Sequence, residues 1–481
     1  MEIESFDAPA PMAIESFDAP VDAGTPKLET FEAPKVWQPT VRAYGWTQLY
    51  GTVDTRFDSP RGAAMAENVG ELRWRAWLGL DVKLFDWARV VVEGRFQARG
   101  TTQRDGDRLK GFFEPMLGDA YVDLYTRYVD VRIGNQRIPL GANVGFAPAD
   151  ALNARDFRET VGEPEDFVIP VFAIRAQGEV GALSWLAAYV PFFTPNRFFL
   201  FGQDESVLQP AFARSLDNTR IDPSIEDSVQ DHLMETKRPV PFAGDVALRA
   251  RYQGRVNVGA SWVWLNEKTA QVTMDPELQR AFTSQAAAVS VLNRAQAGET
   301  LYTGRYLRQH LFSVEGSALL GPGQLDVDAT YSPRQTFYDQ RFNPVNHPSV
   351  TWVASYSQAT DSPFFFAVSY LGMAITDIGA NEQLVLLEPA TARGAPHTAF
   401  FHLFSAALAY SFFDRKLEVS VRGSFEAVQR SFSLTPRVTW EAVDGLKIFA
   451  MGEIYEGSAW SPFGYFNRND RVILGARYEL F

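Results

Sequence analysis

Apolar and polar residues alternate with a period of two along most of the chain. Leu72, Trp74, Ala76, Leu78, Leu80, Val82 and Leu84 form one series, and Glu71, Arg73, Arg75, Trp77, Gly79, Asp81 and Lys83 the other. The next stretch sets Ala88, Val90, Val92, Gly94, Phe96 and Ala98 against Arg89, Val91, Glu93, Arg95, Gln97 and Arg99. Successive side chains of a strand point to opposite faces, so each stretch reads as a strand with one apolar and one charged face. Strands of soluble sandwiches also alternate, but they are shorter and their wet face is seldom so rich in Arg. Lipid on one side and water on the other suits the wall of a membrane barrel.

The same period predicts strands over 42–54, 71–84, 87–99, 118–126, 128–137, 171–178, 181–190, 245–253, 254–264, 309–320, 323–332, 349–357, 363–374, 398–412, 415–427, 430–440, 444–455 and 469–481. That is about 18, an even number as bacterial barrels require, or 16 without the weakly patterned 171–178 and 349–357. The expected fold is all-β: a transmembrane antiparallel up-and-down barrel over residues 42–481. Every second connection is short: Phe85-Asp86, Arg127, Glu179-Val180, the Gln253/Gly254 junction, Gly321-Pro322, Gln358–Ser362, Phe413-Asp414 and Glu441–Val443. Between them lie 55–70, 100–117, 138–170, 191–244, 265–308, 333–348, 375–397 and 456–468, nearly all long, with Val428-Gln429 the exception. Sorting by parity places short turns in the periplasm and long loops outside the cell.

The last strand, Asn469–Phe481, ends on an aromatic. Together with Ser461–Asp470 before it, it resembles the final loop and strand of Gram-negative outer-membrane porins. The resemblance spans about 42–481 at the level of pattern and implies a barrel that admits small solutes. Glu479 departs from it, since porins place an aromatic two residues before the terminal Phe. Tyr478 and Leu480 instead share the apolar face with Val472, Leu474 and Ala476.

Composition narrows the function. No run of about 18 apolar residues exists, so no transmembrane helix is expected. A net charge of −13 argues against nucleic acid as a partner. The absence of Cys excludes disulfides, thiolate metal sites and Cys nucleophiles. The five His form no metal-spaced pair, no nucleophile elbow is present, and no cofactor or metal is expected. The start, MEIESFDAP, lacks a basic and an apolar region, which we read as a mature chain after signal removal.

Residues 1–41 carry eight acids and two Lys and show no periodicity, as a disordered periplasmic tail would. Three repeats stand there: Glu4–Pro9, Glu15–Pro20 and Glu29–Pro34, each with one Phe among acids. Phe6, Phe17 and Phe31 are candidate anchors for a periplasmic protein; a duplicated solvated linker is the other reading.

By parity Arg73, Arg75, Arg89, Arg95, Arg99, Arg132, Arg175, Arg249 and Arg251 face the lumen, and Glu315, Asp326, Asp328, Glu418 and Glu426 face it from later strands. Basic and acidic walls would set up a field across the lumen that orients polar solutes. Groups that merely solvate or pair with one another are the alternative. By the porin resemblance, loop 138–170 is the fold-in loop. Leu140, Phe146, Leu152 and Phe157 would pin it, while Asp150, Arg155, Asp156, Arg158 and Glu159 would line an eyelet; a loop packed on the outer rim is the competing reading. Asp275 as N-cap, Pro276 at the first turn and Gly298 at the end predict a helix over 278–297, with another near Ser224–Glu235.

Two functions follow. One is a porin-like channel for small polar or anionic solutes. The other is an outer-membrane scaffold that binds a periplasmic partner through the repeats. Outer-membrane lipid and lipopolysaccharide are expected around either, in a Gram-negative bacterium.

Overall fold

The computed structural model describes residues 39–480 apart from 56–67, 104–108, 144–145, 159–163, 199–235, 238–241, 243, 282–283, 340–342, 359–361, 385–386, 388–394, 459–460 and 467–469. Eighteen strands form one antiparallel sheet. They are β1 Thr40–Asp54, β2 Asn68–Phe85, β3 Ala88–Gln103, β4 Leu109–Tyr125, β5 Asp130–Gln136 and β6 Val171–Val180. Next come β7 Leu183–Val190, β8 Asp245–Tyr252, β9 Val256–Asn266, β10 Arg308–Leu320, β11 Gly323–Tyr338 and β12 Pro344–Gln358. The last are β13 Phe364–Ile378, β14 His397–Phe412, β15 Leu417–Glu426, β16 Ser431–Val443, β17 Leu446–Glu456 and β18 Arg471–Glu479. Each pairs with the next, and β1 pairs with β18, so the sheet closes into a barrel without a free edge.

The two faces separate as the alternation requires. Leu72, Leu80, Val314 and Leu474 are 50–60% exposed, whereas Arg73, Arg75, Arg95 and Arg99 are 4–5% exposed. An outer surface of aliphatic and aromatic side chains around a polar interior is what a barrel embedded in lipid needs. Among the described residues no helix is long and apolar enough to cross a membrane. Tyr478 lies outward with Val472 and Leu474, and Glu479 pairs with Arg477 at 3.2 Å.

Loop parity holds, with two corrections. The expected loop 100–117 is largely strand: β3 runs to Gln103 and β4 begins at Leu109, with Pro115 seated opposite Phe96. The expected loop 333–348 shrinks likewise. A register shift between Ser332 and Gln335 takes up Pro333, and β12 starts at Pro344. Proline donates no ladder hydrogen bond, so it reads as a breaker, yet bulges accommodate it.

The helix expected over 278–297 divides into α1 Pro276–Ala281 and α2 Gln285–Gln296, because Ser284 supplies a second N-cap. Asp275 accepts from the Glu277 amide at 2.8 Å, and Gly298 ends the pair at φ 79°. This cap rests on the rim: the Val272 amide donates to the Tyr338 hydroxyl at 2.8 Å, and Gln279 to Asn343 at 2.9 Å. The helix expected near Ser224–Glu235 lies outside the described residues.

Candidate functional site

The segment between β5 and β6 folds into the barrel. Ile138, Leu140 and Leu152 are at most 2% exposed and pack against Val171, Ala188, Ala247, Val263 and Leu311, an apolar patch on the inner wall of β6–β10. Each such side chain contributes about 1.5–3 kcal/mol. Phe146 and Phe157, also expected as anchors, are 48% and 52% exposed and do not join this cluster.

The tip of the loop reaches β11. The Asp328 carboxylate accepts from the Ala142 amide at 2.9 Å, the Asn143 amide at 2.8 Å and the Asn143 side-chain amide. Ser355 on β12 donates to Asn143 Oδ1. Arg249 Nη2 donates to the Gly141 carbonyl at 3.1 Å. Gly141 sits at φ +100°, and a Cβ there would lie 2.5 Å from that of Ala147, so the turn requires glycine. The returning limb is tied to the opposite arc. Arg95 donates to the Val168 carbonyl at 3.0 Å, Arg73 to that of Arg158 at 2.8 Å, and Arg75 stands 3.8 Å from Asp166.

The inward arginines are interleaved with acids. Arg73 pairs with Glu71, and Arg99 with the same residue at 2.5 Å. Arg95 pairs with Glu93 at 3.1 Å and lies 3.7 Å over the Trp77 ring. Arg75 donates to Gln48 at 2.8 Å, Arg89 pairs with Asp81 at 2.5 Å, and Arg132 with Asp123 at 2.6 Å. Arg249 and Arg251 share Glu315, at 2.6 and 3.8 Å. Arg175 is register partner to Arg132 and has no ion pair among the described residues. Buried charges persist only when paired, so this packing is self-neutralising. The expectation of separate basic and acidic walls is corrected: Glu315 lies two strands from Arg249, and the field is local. Asp328 is consumed by the loop, and Asp326 accepts from Gln324 at 2.9 Å. Glu426 caps the turn amides of Val428 and Gln429 at 2.7 and 2.9 Å. Glu418 stays half-buried on β15.

Within the loop, Asp150 pairs with Arg155 at 3.0 Å, Asp156 with Arg158 at 2.6 Å, and Arg158 with Glu114 at 2.9 Å. The Arg155 amide donates to Asn196, and Arg197 pairs with Glu114 at 2.6 Å, which knits in the chain after β7. Burial raises the Asp150 carboxyl to about 6, against the pull of Arg155. Glu159, Phe6, Phe17 and Phe31 lie outside the described residues. Among the described residues no cluster of His, Asp and Glu could hold a metal ion.

Sequence reading missed Glu71, Glu93, Glu114, Asn143 and Ser355. Glu71-x-Arg73 and Glu93-x-Arg95 already place opposite charges on one face, a signal for the first two. Glu114 and the Asn143–Asp328 contact depend on register and loop path, which no local pattern carries.

No protein-family model matches the chain, and no curated protein matches it in sequence. Solved structures that align with it include outer-membrane proteins. OmpF of Salmonella typhi, in complex with daunomycin, is 11% identical over 92% of this chain and 97% of its own, at a TM-score of 0.44. OccK2 (OpdF) of Pseudomonas aeruginosa, in complex with glucuronate, is 11% identical over 92% and 98%, at 0.46. OpdK of Pseudomonas aeruginosa, with vanillate, is 9% identical over 92% and 98%, at 0.46.

Proposed function

We propose that the protein is an outer-membrane channel of a Gram-negative bacterium, through which small polar or anionic solutes diffuse passively. The observation that supports this is the asymmetry of the lumen. Loop 138–170 covers the inner wall of β6–β10 and is tied to β2, β3, β11 and β12. The inward residues of β13–β16 are mostly only half-buried, as a wall bordering water would be. The loop narrows the lumen and leaves a passage beside it. Purified barrel in planar bilayers should give discrete conductance steps. A barrel that inserts and never conducts would overturn the reading, and capture of a soluble periplasmic protein by that barrel would establish the scaffold instead.

A further inference from the structure

A row of hydroxyls crosses the uncovered wall. Ser355 is the register partner of Ser369, Ser369 of Ser405, Ser405 of Ser424, and Ser424 of Ser433, one serine on each of β12–β16. All five face inward, since Ser355 reaches the loop and the neighbouring Phe404, Phe425 and Phe432 are 42–49% exposed on the outer face. Ser405 and Ser424 hydrogen-bond each other at 2.8 Å.

Two independent features give the row its meaning. The loop tip ends on it, because Asn143 is held by Ser355 at one end, so the passage beside the loop is bounded by Ser369, Ser405, Ser424 and Ser433. These four are half-buried, while Arg73, Arg75, Arg95 and Arg99 across the barrel are 4–5% exposed. A serine side chain is short and both donates and accepts, so it can exchange bound water for a solute hydroxyl at little cost. The buried arginines already have carboxylate or amide partners, so a passing anion gains little from them.

We propose that solutes travel along this serine row rather than along the arginine arc, and that it favours uncharged, hydroxyl-bearing solutes of sugar type over anions of equal size. The inference rests on the channel reading. The chain has no Cys, so single introduced thiols report cleanly. In full-length protein in lipid, Ser405→Cys and Ser433→Cys should take up a membrane-impermeant thiol reagent, by mass, and lose most of their single-channel current. Arg95→Cys should react far more slowly. Replacing Ser369, Ser405, Ser424 and Ser433 together by Ala should cut glucose-induced current noise several-fold and leave the smaller response to gluconate unchanged. A conducting parent whose Ser405→Cys variant neither labels nor loses current overturns the path alone. Equal responses to glucose and gluconate overturn the solute preference. A parent without conductance overturns the channel reading and the path with it.

Discussion

The inner wall of β2–β10 and that of β13–β16 belong to one sheet and obey one alternation, yet they meet different surroundings. The first is covered. Most of its charges are paired, Arg175 excepted, and its apolar patch lies under Ile138, Leu140 and Leu152. The second carries mainly Ala, Ser, Thr and Leu on its inner face, with Glu418, Arg422, Glu426, Arg437 and Glu441 as the charges of β15 and β16, and most of these positions stay half-buried. If solutes follow the serine row, charge on a barrel's inner face does not mark where they pass. It marks where protein has enough partners to bury charge, and the smaller residues mark where water is left.

The strongest way to break this contrast is to free the loop. Asp328→Ala removes an acceptor of three hydrogen bonds and should cost roughly 3–6 kcal/mol of loop anchoring. Conductance should rise more than for any other single change; an unchanged value would show that the loop does not narrow the passage. Next comes the apolar anchor. Leu152→Ala should cost about 2–5 kcal/mol, read as faster amide exchange across 138–170 with the barrel strands still protected. Retained protection would place the anchoring in the polar contacts alone.

Ion selectivity sharpens the contrast further. Arg249→Ala should shift the reversal potential toward cations more than Arg73→Ala, because the Arg249 side chain is 17% exposed and that of Arg73 only 4%. Equal shifts would show that exposure does not decide which charges a permeating ion senses.

The smallest effect is with pH. Asp150 is raised from 3.8 to about 6. Its folded-state value lies above the unfolded one, so its contribution is present in full below about pH 3.8 and is lost as pH rises through 6. Loop amides, corrected for intrinsic exchange, should be better protected at pH 5 than at pH 7, by about 1–3 kcal/mol at most. Asp150→Asn should flatten the difference; a difference that survives would assign it elsewhere.

The wall was legible because alternation over long strands is a local property. All eighteen strands stand where the period puts them, and the largest boundary shifts fall at Pro115, Pro333 and Pro344, where bulge and register override local preference. The site was legible only in part. Parity puts Arg73, Arg75, Arg95 and Arg99 on one face of their strands, and all four are buried. Their partners were not legible, because Arg99 meets Glu71 only once β2 and β3 are in register, and Asn143 meets Asp328 only across the lumen. Phe146 and Phe157 show the remaining gap: hydrophobicity in a loop does not say which residues find an apolar wall.

The contact between Asn143 and Asp328 joins positions 185 residues apart. Loop closure over such a separation is slow and depends on everything between being in place. If insertion follows chain order, β1–β10 enter the membrane before Asp328 exists as a docking point. Until β11 and β12 arrive, the loop has its greasy foothold on β6–β10 and nothing to hold its tip. On that order of assembly the latch closes late, and a barrel stalled before β11 would carry a loose loop.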